Sequence, residues 1–168
     1  DDFGLLIHTA EAYRAYIKYP RHRFRPMQLD FLHLDLWVGG ENVLTDSGSF
    51  SANPAMTIRE GALDEASAHN VPLRMQQPLL TKERPWLYRY WPHARIKRAA
   101  MGAWDLWVDN GAAVVLHRRA MFEPRRIVLR DRVIDSQPWG IAMNGPIHES
   151  RGVMTMKLGT RCTVNFLN

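Results

Sequence analysis

The feature that most constrains this chain is a missing one: no window repeats apolar residues at the 3.6-residue helical spacing between proper caps. Short apolar or alternating runs take its place, each closed by Gly, Pro, Asn or Asp. In the first half these runs are 4–9, 12–19, 30–38, 41–46 and 69–75. The second half continues with 93–101, 104–108, 113–122, 125–134, 141–144, 153–158 and 161–166. Turn signals recurring every 8–12 residues or so predict an all-β fold, an antiparallel β-sandwich of many short strands with little helix.

Local chemistry sharpens this reading. Gly39-Gly40 separates two strand-like runs and predicts a tight hairpin, because both turn positions of a type I′ turn need positive φ. Along the first arm, Leu32, Leu34 and Leu36 share one face. Phe31, His33, Asp35 and Trp37 share the other, which reads as exposed or ligand-facing. Residues 47–68 read as a long loop with a turn of helix near Leu63–Ser67, and loops of this length are often functional. Pro72 places the run 69–75 at a sheet edge. Trp86, Tyr88, Tyr90 and Trp91 form a dense aromatic cluster, suited to core, to an interdomain contact or to stacking on sugar rings.

Composition enters as a bound. The 168 residues suffice for one self-supporting β-sandwich domain, 1–168, at 46% apolar and 23% charged residues. No stretch approaches the roughly 18–20 apolar residues of a membrane span. A single cysteine, Cys162, excludes an internal disulfide and a multi-cysteine zinc site. The formal net charge is +5, and the cations are 18 Arg against four Lys. Arg forks suit carboxylate, sulfate and phosphate, so a polyanionic partner is one reading and a plain compositional bias the other. The chain opens at Asp1 with a strand-like run close behind, as expected of a piece of a longer protein or a mature form.

One segment carries a family resemblance. Arg25-Pro26-Met27-Gln28-Leu29-Asp30 leads through Phe31-Leu32-His33-Leu34-Asp35-Leu36-Trp37 to Gly39-Gly40, and Asp46-Ser47-Gly48-Ser49-Phe50 follows. This resembles the signature of the heparinase II/III-like polysaccharide lyases: a histidine-rich start, an Asp, an apolar-Gly-Gly turn, then Asp-x-Gly-x-aromatic. His69-Asn70-Val71 is similar to the family's His-Asn step. His117-Arg118-Arg119 with the run 125–133 is similar to a later hairpin that has a basic start and an Asp near its end.

The resemblance implies the C-terminal sandwich domain of a two-part enzyme. An N-terminal helical toroid would complete a cleft for an acidic polysaccharide and supply the Tyr and His that drive β-elimination at a uronic acid. On this reading the isolated chain has no catalytic residue of its own and is not expected to act alone. Arg25, Gln28, Asp30 and His33 become the candidate substrate contacts. The family's signature also holds a structural zinc. Its ligand positions fall on Gln28, where the family has His, on Asp46 of Asp-x-Gly and on His69. Gln is a poor donor for zinc, so the expected site is weak or lost. The resemblance further implies a periplasmic or exported setting.

Rival readings have features of their own. Pro26 and Gln28 stand where the family has His, which favours a non-catalytic carbohydrate-binding or scaffolding module. Arg and aromatics interleave around 84–98, but helix-turn-helix, zinc-finger and RNP patterns are missing, so nucleic acid is not the expected partner.

Overall fold

The computed structural model describes residues 4–21, 28–48, 63, 65–74, 80, 82–84, 87–110, 115–134, 139–141, 148–150, 153–158 and 162–167. Two sheets dominate. The first is a four-stranded antiparallel meander, β1 (Leu5–Thr9), β2 (Tyr13–Lys18), β3 (Leu34–Val38) and β4 (Glu41–Leu44), in sequence order. Further along come a 3-10 turn at Ala66–Ala68 and short strands β5 (Pro72–Arg74), β6 (Lys82–Arg84) and β7 (Leu87–Tyr88). The second large sheet holds β8 (His93–Ala100), β9 (Ala103–Asp109), β10 (Val115–Glu123) and β11 (Arg126–Ile134) as an antiparallel meander. It also holds β13 (His148–Ser150), β14 (Val153–Leu158) and β15 (Cys162–Leu167), in the order β13-β14-β15-β11-β10-β9-β8. Two-stranded ribbons pair β5 with β12 (Trp139–Ile141) and β6 with β7.

The expected all-β sandwich is the fold. Its core lies between the sheets, because alternation along each strand turns one apolar set inward. Ala15, Ile17, Leu34 and Leu36 of the first sheet join Leu106, Val108, Ile127 and Leu129 of the second in one buried cluster. The Tyr13 hydroxyl donates to the Glu123 carbonyl at 2.8 Å, and His8 stacks on Phe122 at 4.3 Å, closing one end of the sandwich. The hairpin turn behaves as the sequence predicts: Gly39 and Gly40 have φ of 63° and 90°. No helix among the described residues is long and apolar enough to cross a membrane.

Three expectations need correction. The β11–β15 pair is parallel, so the sandwich is not wholly antiparallel. The strand expected over 30–38 begins only at Leu34. Leu32 sits at φ 65°, and the His33 amide turns back to the Asp30 carbonyl at 3.0 Å. A left-handed residue breaks the period of two, so Phe31 and His33, expected on the exposed face, are buried. The helical turn forecast near Leu63–Ser67 is the 3-10 turn at Ala66–Ala68.

Candidate functional site

The motif segments meet where the end of β2, the turn before β3, the segment after β4 and the approach to β5 converge. The Leu32 amide donates to the Lys18 carbonyl at 2.9 Å, and the Lys18 amide to the His33 carbonyl at 3.0 Å. Backbone pairing therefore sets Lys18 beside His33. Asn70 knits the other segments together. Its side-chain amide donates to the Leu34 and Thr45 carbonyls, both at 3.1 Å, and its carbonyl accepts the Leu34 amide at 3.2 Å.

Within this knot His33, Asp46 and His69 bring one ligand-type atom each to within 4.8 Å of one another. Both rings are fully buried, while the Asp46 side chain is 20% exposed. His69 Nδ1 lies 3.1 Å from Asp46 Oδ1, but the oxygen is out of line with the ring N–H, and both His69 ring nitrogens lack a hydrogen bond. His33 Nε2 lies 3.8 Å from Asp46 Oδ2, too far for one. The two imidazoles meet edge to face, with centroids 5.7 Å apart.

The carboxylate has other partners. Lys18 Nζ donates to Asp46 Oδ2 and, at 2.9 Å, to Asp30 Oδ2. The Gly48 amide donates to Asp46 Oδ1 at 2.8 Å. The His69 ring, the ammonium and this amide hold the Asp46 carboxyl far below the usual carboxylate range, against the opposing effect of burial. Burial pushes the His33 ring down to about 3, and Lys18 adds to that effect, so His33 is neutral at ordinary pH. Burial would depress the Lys18 ammonium, but Asp30 and Asp46 more than offset it and raise its pKa.

The family resemblance implies a weak or lost zinc site on Gln28, Asp46 and His69, and the fit of a metal to the cluster seen here rests on free lone pairs. The Asn70 amide donates to His33 Nδ1 at 3.0 Å, which puts the proton of the neutral ring on Nε2, the nitrogen facing Asp46. His33 in this orientation has no lone pair for a cation. Asp46 is already bonded to an ammonium and an amide, and the buried ring nitrogens without a hydrogen bond are Nε2 of His33, which carries the proton, and both of His69. Structural zinc takes four donors of the His, Cys or carboxylate kind. The described residues do not fit it.

A second buried device holds the knot from the opposite sheet. Arg118 of β10 is fully buried and grips Asp131 of β11, its register partner, with Nε–Oδ1 at 2.8 Å and Nη2–Oδ2 at 2.6 Å. Its Nη1 donates to the Leu32 carbonyl and, at 3.0 Å, to the Asn70 carbonyl. Those carbonyls belong to the neighbours of His33 and His69, so one guanidinium fixes both ring-bearing segments.

The sequence-derived candidates divide accordingly. Arg25 lies outside the described residues, as does Trp86. Gln28 is half-buried, and the histidine that joins Asp46 and His69 is His33. Asp30 carries the Lys18 ion pair. His33, expected to face substrate, has no exposed surface, because the Leu32 turn points it inward. Lys18 went unnoticed. A faint signal was available: it is one of four Lys among 18 Arg, a compact ammonium where the chain elsewhere uses forks.

The outer face of the seven-stranded sheet has a different character. Strand register aligns Arg95, Trp107, His117 and Arg132 in one row, and Lys97, Asp105, Arg119 and Arg130 in the next. Asp105 is the sole carboxylate of the two rows, and it is engaged: by His117 Nε2 at 2.8 Å and by Arg119 through bonds of 2.8 and 2.6 Å. Arg95, Lys97, Arg130 and Arg132 are exposed, and none forms an ion pair among the described residues. Trp107 stacks on His117 at 5.0 Å, and a groove of about 620 Å³ runs beside Trp107, Arg95, Lys97 and Arg21.

The fold has solved counterparts. Two structures of the heparinase III BT4657 gene product, one with methylated lysines, superpose with TM-scores of 0.62 and 0.58 at 19% and 17% identity. They match 92% and 94% of this chain, which spans 26% and 27% of theirs. The chain thus has a heparinase-like fold that corresponds to about a quarter of those proteins. No protein-family model matches the sequence, and no curated protein is similar to it.

Proposed function

We propose that this chain is the sandwich domain of a heparinase II/III-like polysaccharide lyase and that it helps to bind an acidic polysaccharide for β-elimination. The observation that carries the reading is the knot itself: Asp46, His69 and Arg118–Asp131, drawn from separate motif segments, converge on a fold shared with heparinase III. The two cationic rows support an anionic partner. Arg95, Arg130 and Arg132, which form no ion pair among the described residues, suit carboxylate and sulfate. The acid and base of the elimination belong to a helical toroid outside this chain, as does the remainder of the cleft, and the setting is periplasmic or exported.

A second reading, a carbohydrate-binding module without lyase activity, is favoured by Pro26 and Gln28 at the family's His positions. Incubation with heparan, alginate or hyaluronan tests the division of labour. The chain is expected to bind these more tightly than a neutral glucan and to release no ultraviolet-absorbing unsaturated uronates. Release would show that the chain holds its own acid and base. Equal binding of neutral and acidic glycans would remove the acidic-polysaccharide reading.

A further inference from the structure

We propose that Lys18 takes the place of the structural metal that the family resemblance implies: its ammonium, and not a zinc ion, ties the knot together. The family resemblance contributes only the expectation of a metal; the replacement itself stands on the contacts. Nζ bonds Asp30 and Asp46 at once and so joins the end of β2, the turn before β3 and the segment after β4. Those are connections a bridging cation would otherwise make.

The two neighbouring carboxylates are set for an ammonium. The two carboxylates converge on Nζ from segments 16 residues apart, and Asp46 spends its other oxygen on the Gly48 amide. His33 receives the Asn70 amide on Nδ1, so a metal at Nε2 would require the ring to lose its remaining proton. A divalent ion at Asp46 would also sit against the ammonium, and like charges at such separations repel strongly in a half-buried site. The residue types agree, since Gln28 occupies the family's third ligand position. A lysine supplies one unit of positive charge without dissociating, whereas a metal centre depends on metal supply and loses its ion to chelators.

The test starts with the purified chain. Elemental analysis should find well under one zinc per chain, and neither a chelator nor added zinc should move the melting temperature. In Lys18→Met the carboxylates of Asp30 and Asp46 face each other without a cation. That variant should melt lower than the parent, and added zinc should recover part of the loss; Asp46→Asn in the same background should abolish the recovery. One tightly held zinc in the parent, with a melting temperature that falls on chelation, would overturn the proposal. So would a Lys18→Met variant that melts and responds to zinc as the parent does. If that variant does not fold, nitrogen chemical shifts of the parent's His33 decide: a protonated Nε2 is expected, and a metal-bound Nε2 overturns the proposal. None of these outcomes bears on polysaccharide binding, which the uronate and glycan assays test separately.

Discussion

The buried knot and the outer face of the seven-stranded sheet treat charge in opposite ways. In the knot Lys18 answers Asp30 and Asp46, and Arg118 answers Asp131 and two carbonyls. In two adjoining rows of the outer face, five Arg and Lys side chains stand with one carboxylate, Asp105. Arg119 and Arg130 stand directly opposite each other, an arrangement that costs a sheet stability. The difference shows that the Arg excess is placed and not merely spread. Charges that hold the fold are compensated, and the uncompensated ones face solvent where a polyanion can reach them.

The largest effect should come from the buried side. Arg118→Met leaves the Asp131 carboxylate buried and unpaired, and should cost about 3–5 kcal/mol in denaturant unfolding. Arg118→Met with Asp131→Leu should cost less than the single change, because no orphan charge remains. The residual loss reports the Leu32 carbonyl deprived of this donor and the Asn70 carbonyl left with the Leu34 amide. Equal losses for the single and double variants would mean that Arg118 is not holding a charge.

Acid should separate the two regions next. The His33 ring has an ordinary value of 6.5 and is held at about 3 in the fold. Between those values the unfolded chain binds the extra proton, so stability should fall as pH drops from 6.5 towards 3. Asp46 adds to the loss below the ordinary carboxylate value of 3.8. His33→Asn keeps an acceptor for the Asn70 amide and removes the titrating ring. It should flatten the part of the melting-temperature profile above the carboxylate range, and an unchanged profile would show that His33 is not the buried neutral group.

The smallest effect belongs to the surface. Glu123 and Arg126 form a two-bond ion pair in solvent at the β10–β11 turn. Such exposed pairs contribute little. Glu123→Gln should leave the unfolding midpoint unmoved, and a clear drop would mean that exposed pairs carry the stability assigned here to buried ones.

Much of this was legible in the sequence for identifiable reasons. Period-two runs and turn residues define the strands because they are local, and Gly39-Gly40 marks its hairpin by backbone freedom. Asp46 and His69 stand out by motif spacing, as does the Arg118 hairpin with its late Asp. The inward turn of His33 was hidden because Leu32, an ordinary residue, adopts a left-handed backbone that no pattern announces. Lys18 was hidden because its partners lie 12 and 28 residues away and meet it only through the β2–β3 register. The parallel β11–β15 pair depends on long-range return of the chain, which alternation does not encode.

The central claim, that the outer cationic rows bind an acidic polysaccharide, is tested most directly by heparin affinity measured across a salt series. For the parent, log affinity should fall linearly with log salt, because binding releases counterions, as it does from nucleic acids. Arg130→Gln with Arg132→Gln, both exposed and away from the core, should weaken binding and make the slope shallower by roughly 1.4–1.8, the loss of two contacts. Unchanged affinity and slope in that variant would contradict the account.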